Sequence, residues 1–170
     1  MLKIEQRRIA HNYTKGRAGH KPRAIVIHIM SGYYNGTDAW FHNPASGAST
    51  HYGVSRKGQV RQWVGELDSA WHCGTLIKPT WKLIDPRVDP KFETIGIEHE
   101  GFQTDVWTPE MKAASAELIA NIARRWKFPL DRDHVIGHYQ LSGGRRDNCP
   151  SQGRNANHII EELIELAKKF

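Results

Sequence analysis

The sequence predicts an α/β protein, and three segments carry that expectation. Ala24-Ile-Val-Ile-His-Ile-Met30 is a short, almost unbroken apolar run rich in β-branched residues, the pattern of a central strand buried on both faces. Thr108-Pro109 opens a long helix with a hydroxyl N-cap and proline at N1, after which Met111, Ala114, Leu118, Ile122 and Trp126 recur at three- and four-residue spacing. That helix should end before Pro129. Ile159 to Phe170 repeats the pattern, with Ile160, Leu163, Ala167 and Phe170 on one stripe.

Further elements fall between these. Thr50-His-Tyr-Gly-Val-Ser55 and Gln59-Val-Arg-Gln-Trp-Val64 flank Arg56-Lys-Gly58 and read as a hairpin. Thr94-Ile-Gly-Ile-Glu-His-Glu100 reads as a strand with Ile95, Ile97 and His99 on one face and Glu98 and Glu100 on the other. Val135-Ile-Gly-His138 is a further short strand. No repeat or linker divides the chain, so residues 1–170 are expected to form a single domain, with 1–20 as an N-terminal lead or arm. Pro79, Pro86 and Pro90 punctuate a long aperiodic stretch between Thr75 and Phe92, which is expected to shape a binding surface or to be mobile.

A length of 170 residues corresponds to one domain. Hydrophobic residues at 39% and charged residues at 25%, with no apolar stretch near the ~20 residues of a span, exclude disordered and membrane-spanning classes. Charges in Met1-Leu-Lys-Ile-Glu-Gln-Arg-Arg-Ile stand where a secretory signal would be apolar, so synthesis in the cytoplasm is expected. Lys plus Arg less Asp plus Glu is 24 − 18 = +6, which suits an acidic partner such as nucleic acid, anionic lipid or an anionic cell-wall polymer. The basic residues form no run of five or six and no aromatic-basic stretch, which weighs against nucleic acid. Two cysteines are too few for a disulfide scaffold, while ten histidines are a high number.

His28 interrupts a buried strand, and its ring nitrogens need partners there, because an unpaired buried polar group costs about 1 to 3 kcal/mol. Taken alone, it reads as a core histidine bonded to a carbonyl. His138 ends another strand, and Cys149 follows on a Gly-rich loop; two imidazoles and a thiolate are a catalytic zinc set with the fourth position open. The three come from remote segments, so spacing by itself leaves both readings standing.

Five blocks in order change that balance: Ile25-Val-Ile-His28, Thr50-His-Tyr-Gly-Val-Ser-Arg-Lys-Gly58, Ala70-Trp-His-Cys-Gly74, Ile95-Gly-Ile-Glu-His-Glu-Gly101 and Gly137-His-Tyr-Gln-Leu-Ser-Gly-Gly-Arg-Arg-Asp-Asn-Cys-Pro150. From Arg23 to the terminal helix the chain resembles the zinc-dependent N-acetylmuramoyl-L-alanine amidases of type 2, a family that includes phage endolysins, muropeptide-recycling amidases and peptidoglycan recognition proteins. The resemblance implies a mixed, mostly parallel central β-sheet flanked by helices. It further implies one Zn2+ held by His28, His138 and Cys149, with Glu98 as general base.

Amide hydrolysis at neutral pH needs an activated water, a polarised carbonyl and a proton for the leaving amine, and these residues match those needs. The resemblance places His72 at the border of the site, as a candidate for substrate contact or proton shuttling. Relatives often have a lysine where Asp147 stands, and an ionised carboxylate cannot donate to an oxyanion, so Arg146, Arg145 or His72 is expected to take that part. Some relatives have a tyrosine where Thr50 stands, which shifts the base role further onto Glu98. Trp71, Thr50 and Trp81, the last in the proline-rich stretch, are the expected substrate contacts.

The expected function is hydrolysis of the bond between N-acetylmuramic acid and L-alanine in peptidoglycan by a monomeric, wall-lytic enzyme of endolysin type. The alternatives are a cytosolic recycling amidase acting on soluble muropeptides and a non-catalytic peptidoglycan-binding module. A Cys149/His138 nucleophilic hydrolase is a third rival.

Overall fold

A computed structural model describes residues 2–153 and 155–170. The chain runs β1 (Ile4–Gln6), β2 (Tyr13–Thr14), β3 (Ala24–Ile29), α1 (Tyr34–His42), β4 (Tyr52–Val54), β5 (Val60–Gln62), β6 (Ser69–Ala70), β7 (Thr94–His99), α2 (Pro109–Trp126), β8 (Val135–Gly137) and α3 (Asn155–Ala167). Six strands form one sheet in the order β1-β5-β4-β7-β3-β8. Only β4 and β5 pair antiparallel in it, as the two arms of the expected hairpin.

Strand alternation divides the work of the sheet between its faces. Ile25, Ile27 and Ile29 of β3, with Ile95 and Ile97 of β7, pack with Leu118, Ile119 and Ile122 of α2 and Ile160 and Leu163 of α3. Full burial of each such side chain contributes about 1.5 to 3 kcal/mol, so this layer anchors the two central strands. Ala24, Val26 and Ile136 face the opposite way and pack with Cys73, Trp81 and Leu141. The next residue of β3 on that second face is His28, and β7 sets Glu98 beside it in register.

The long helix has the expected ends. The Thr108 hydroxyl accepts from the Met111 N–H at 3.2 Å, and Lys127 closes the helix at φ +58, two residues before Pro129. The terminal helix begins earlier than its apolar stripe suggests, with residue 155 already helical.

Several elements carry no periodic signal. β1, β2 and β6 are two or three residues long, too short for alternation to show. α1 is held by Asp38, a buried carboxylate that accepts from the Trp63 indole at 2.7 Å and from Arg7 at 2.7 and 3.2 Å. The segment read as an N-terminal lead supplies the edge strand β1, pairs β2 with β6, and buries Arg17 beneath the sheet. The Arg17 guanidinium donates to the carbonyls of Glu66, Phe92 and Thr94 at 2.6, 3.0 and 3.1 Å.

The stretch between Thr75 and Phe92 packs onto the core through Trp81, with Leu76, Leu83 and Ile84 partly buried beside it. Its Trp81 is 1% exposed among Ala24, Val26 and Ile136, with its indole N–H donated to the Asp133 carbonyl at 2.8 Å. This corrects the assignment of Trp81 as a substrate contact, because the ring has no free face. Among the described residues, no helix is long and apolar enough to cross a membrane.

Candidate metal centre and active-site cleft

At the carboxyl ends of β3, β7 and β8 lies a cleft of about 1110 Å³. His28 comes from β3, Glu98 from β7, and His138 from the residue following β8, where a single 3-10 turn begins. Gly137 makes that turn possible: a Cβ there would lie 2.3 Å from the Tyr139 ring. Cys149 arrives on the loop after the turn, whose residues 144–148 are exposed. The Asp147 carboxylate accepts from the Gly144 N–H at 2.6 Å, so it shapes this loop.

His28, His138 and Cys149 offer three donor atoms within 4.8 Å of one another, all on buried residues. The two Nδ1 atoms are 3.0 Å apart, and the Cys149 sulfur lies 4.0 Å from His28 Nδ1. Burial holds His28 well below the ordinary imidazole range, lowers His138 to about 4, and pushes the Cys149 thiol up to about 12. Two neutral imidazoles and a sulfur that needs a cation to lose its proton fit a soft divalent metal. The same shift argues against Cys149 as a free nucleophile, which requires a lowered thiol pKa. His138 Nε2 also turns to the Cys73 carbonyl at 3.0 Å and away from the sulfur.

Glu98 reaches the cleft beside these donors, and its Oε2 is buried without a hydrogen-bond partner. Burial raises its carboxyl to about 8, while the Arg146 guanidinium pulls it down. Arg146 is exposed on the cleft wall, close enough to act also on His28, His138 and Cys149. Trp71 is 40% exposed on the rim, its indole N–H held by the Thr14 hydroxyl at 3.0 Å.

One further assignment changes in the structure. Thr50 is fully buried, with its hydroxyl and the His72 ring both lying over Gly96, so it does not contact substrate directly. His72 lines the cleft, yet its two ring nitrogens face His28 Nε2 at 3.1 Å and Thr94 Oγ1 at 3.4 Å. His99 points to the other face, as alternation requires, and spans the β3 carbonyl of His28 and the Ser115 hydroxyl at 3.0 and 2.8 Å. Tyr33 and Trp40 are both exposed on the rim.

A second cavity of about 790 Å³ opens beside Glu66. The Glu66 carboxylate is already engaged by Tyr52, Arg125 and Trp126, and among the described residues the only cluster of potential metal donors lies in the first cleft.

Comparison with known proteins agrees with this geometry. The family described as N-acetylmuramoyl-L-alanine amidase matches residues 18–152. A curated relative, N-acetylmuramoyl-L-alanine amidase A of Achromobacter lyticus, is 32% identical, over 79% of this chain and 79% of its own length. Among solved structures, a mutant of PlyL superposes with a TM-score of 0.75 at 17% identity, covering 99% of this chain and all of that one. A mutant endolysin from Bacillus subtilis gives 0.71 at 21% identity, covering 98% and 99% of the two chains. An AmpD derivative gives 0.71 at 22% identity, covering 94% and 98%. Five ordered sequence blocks, the mixed sheet and these matches lead to one assignment: the chain belongs to the N-acetylmuramoyl-L-alanine amidase family and hydrolyses the amide between N-acetylmuramic acid and L-alanine in peptidoglycan.

Proposed function

We propose that this amidase works with one Zn2+ held by His28, His138 and Cys149, with Glu98 as its general base, and that it degrades assembled cell wall. The observation that carries the reading is the buried His28, His138 and Cys149 donor set with the unpartnered Oε2 of Glu98 beside it. Bound zinc supplies Lewis acidity toward the scissile carbonyl and lowers the pKa of water to about 7.

The remaining steps fall to the chain. Glu98 takes the proton of the attacking water and returns it to the leaving nitrogen of L-alanine. The Arg146 guanidinium, on the cleft wall, places positive charge where the carbonyl oxygen becomes negative, and such a preorganised donor is worth ~10²- to 10³-fold in rate. Trp71 offers an exposed ring on the rim for the sugar or the stem peptide. An open cleft and a net charge of +6 suit an anionic polymer.

The test is elemental analysis followed by mass analysis of products from purified sacculi. About one zinc per chain is expected, with activity lost on chelation and restored by zinc. Full activity in a metal-free preparation would overturn the zinc assignment. Turnover of soluble muropeptides with none on sacculi would replace the wall-lytic role with recycling.

A further inference from the structure

We propose that the His72–Cys73 dipeptide is the outer shell of the metal centre, with His72 a positioning residue that holds the His28 imidazole and does not touch substrate. The inference rests on the zinc reading above, and its test does not use catalysis.

Both histidine ligands turn their second ring nitrogen to this one dipeptide. His138 Nε2 lies 3.0 Å from the Cys73 carbonyl, and His28 Nε2 lies 3.1 Å from His72 Nδ1. A carbonyl can only accept, so the His138 proton sits on Nε2 and its Nδ1 lone pair faces the donor cluster. For His28 to offer Nδ1 in the same way, its proton must sit on Nε2 and His72 Nδ1 must accept it. His72 then carries its own proton on Nε2, toward Thr94 Oγ1 at 3.4 Å. The Thr94 hydroxyl in turn donates to the Pro90 carbonyl at 2.8 Å. The relay ends on an acceptor-only group, so one pattern of tautomers satisfies every member. No nitrogen of His72 is left for the cleft.

The dipeptide is itself fixed. His72 sits on Gly96, where a Cβ would lie 2.6 Å from His72 Cγ, so the strand has no side chain at the place where the ring rests. The Gly96 N–H donates to His51 Nδ1 at 3.1 Å. Upstream, β6 is paired with β2, and the buried Arg17 ties the Glu66 carbonyl before β6 to the Thr94 carbonyl of β7. Partners that orient a metal-bound imidazole typically contribute ~10- to 100-fold to metal affinity or activity, and no first-layer ligand needs to change for that contribution to be lost.

The experiment compares wild type with His72→Phe, His72→Leu and His72→Asn. Zinc affinity is measured by competition with a chromophoric chelator, and ligand geometry by the visible absorption of the cobalt(II)-loaded proteins. Melting in excess chelator checks that each metal-free variant is folded. His72→Phe and His72→Leu remove the acceptor and are expected to bind zinc ~10- to 100-fold more weakly, with shifted cobalt bands. His72→Asn sets Oδ1 where Nδ1 stood and is expected to remain within about threefold of wild type.

Wild-type zinc affinity and an unchanged cobalt spectrum in the apolar variants would overturn the proposal, as would an Asn variant as weak as Phe. If one apolar variant does not fold, the other decides by the same criterion, and an Asn variant more than ~10-fold weaker than wild type overturns the proposal in either case. A wild-type protein that binds no zinc would overturn the underlying metal assignment instead, so the two failures are distinct.

Discussion

Glu98→Gln is expected to keep its zinc and its fold while its kcat on sacculi falls by about 10²- to 10⁴-fold, the range that general base catalysis supplies. The amide preserves the shape of the side chain and has no basic oxygen to take a proton from water. Strand alternation and the pairing of Glu98 with His28 in register place the carboxylate at the donor cluster. Burial raises it to about 8, and a cation in the cluster would favour the ionised form, so the acid limb of kcat/KM should lie below that value and vanish in the variant. Wild-type turnover in Glu98→Gln would assign the base to another group.

The same carboxyl gives the metal-free protein a pH signature. Its folded pKa of about 8 exceeds the ~4.3 of an unfolded glutamate, so the folded state holds an extra proton between those values. That contribution is fully present below the unfolded pKa and is lost as pH rises through about 8. His72 and His138, lowered by burial to about 3 and 4, work at the other end: their contribution is present above ~6.5 and is lost as pH falls through the folded values. In excess chelator, the melting temperature of wild type should therefore decline from pH 5 to 9 relative to Glu98→Gln. Parallel curves would mean that the buried carboxyl is not protonated.

What could be read from sequence follows the range of the interactions involved. β3, β7 and α2 are written in local patterns of burial and capping, and their bounds shift by a residue or less. The donor set joins positions 28, 138 and 149, whose meeting depends on the parallel pairing of β8 with β3, a contact no local pattern encodes. Resemblance supplied that link. Trp81 shows the limit from the other side: a proline-rich stretch without periodicity looks exposed, yet Trp81, with Leu76, Leu83 and Ile84 packed around it and backbone bonds to Gln140 and Leu141, holds it against the core. Arg17 was unforeseen because a buried guanidinium is uncommon, and its partners are backbone carbonyls from distant segments. His72 is a subtler case: its type suggests proton transfer, while its ring nitrogens face His28 and Thr94.

Cys149→Ser is expected to weaken zinc binding by more than the ~10- to 100-fold that loss of an outer-shell partner costs, because it replaces a ligand itself. A coordinated thiolate brings negative charge and a soft sulfur, and a neutral hydroxyl brings neither. Cys149→Asp should retain part of the affinity and activity, since a carboxylate is an accepted zinc ligand. Cys73 provides the control, although its side chain is just as buried and its thiol is also pushed up to about 12 by burial. Its sulfur is 3.4 Å from Thr94 Oγ1 and 3.5 Å from His72 Nδ1, outside the donor cluster, and the atom that faces His138 is its backbone oxygen. Cys73→Ser leaves that oxygen in place, so zinc affinity should change little and the stability loss should stay within about 0.5 to 3 kcal/mol. Zinc content and melting temperature, with and without chelator, separate the three variants: chelator should lower the melting temperature of wild type and Cys73→Ser strongly and that of Cys149→Ser hardly at all. A Cys73→Ser protein without zinc, beside a Cys149→Ser protein that holds it, would move the third ligand away from the loop before Pro150.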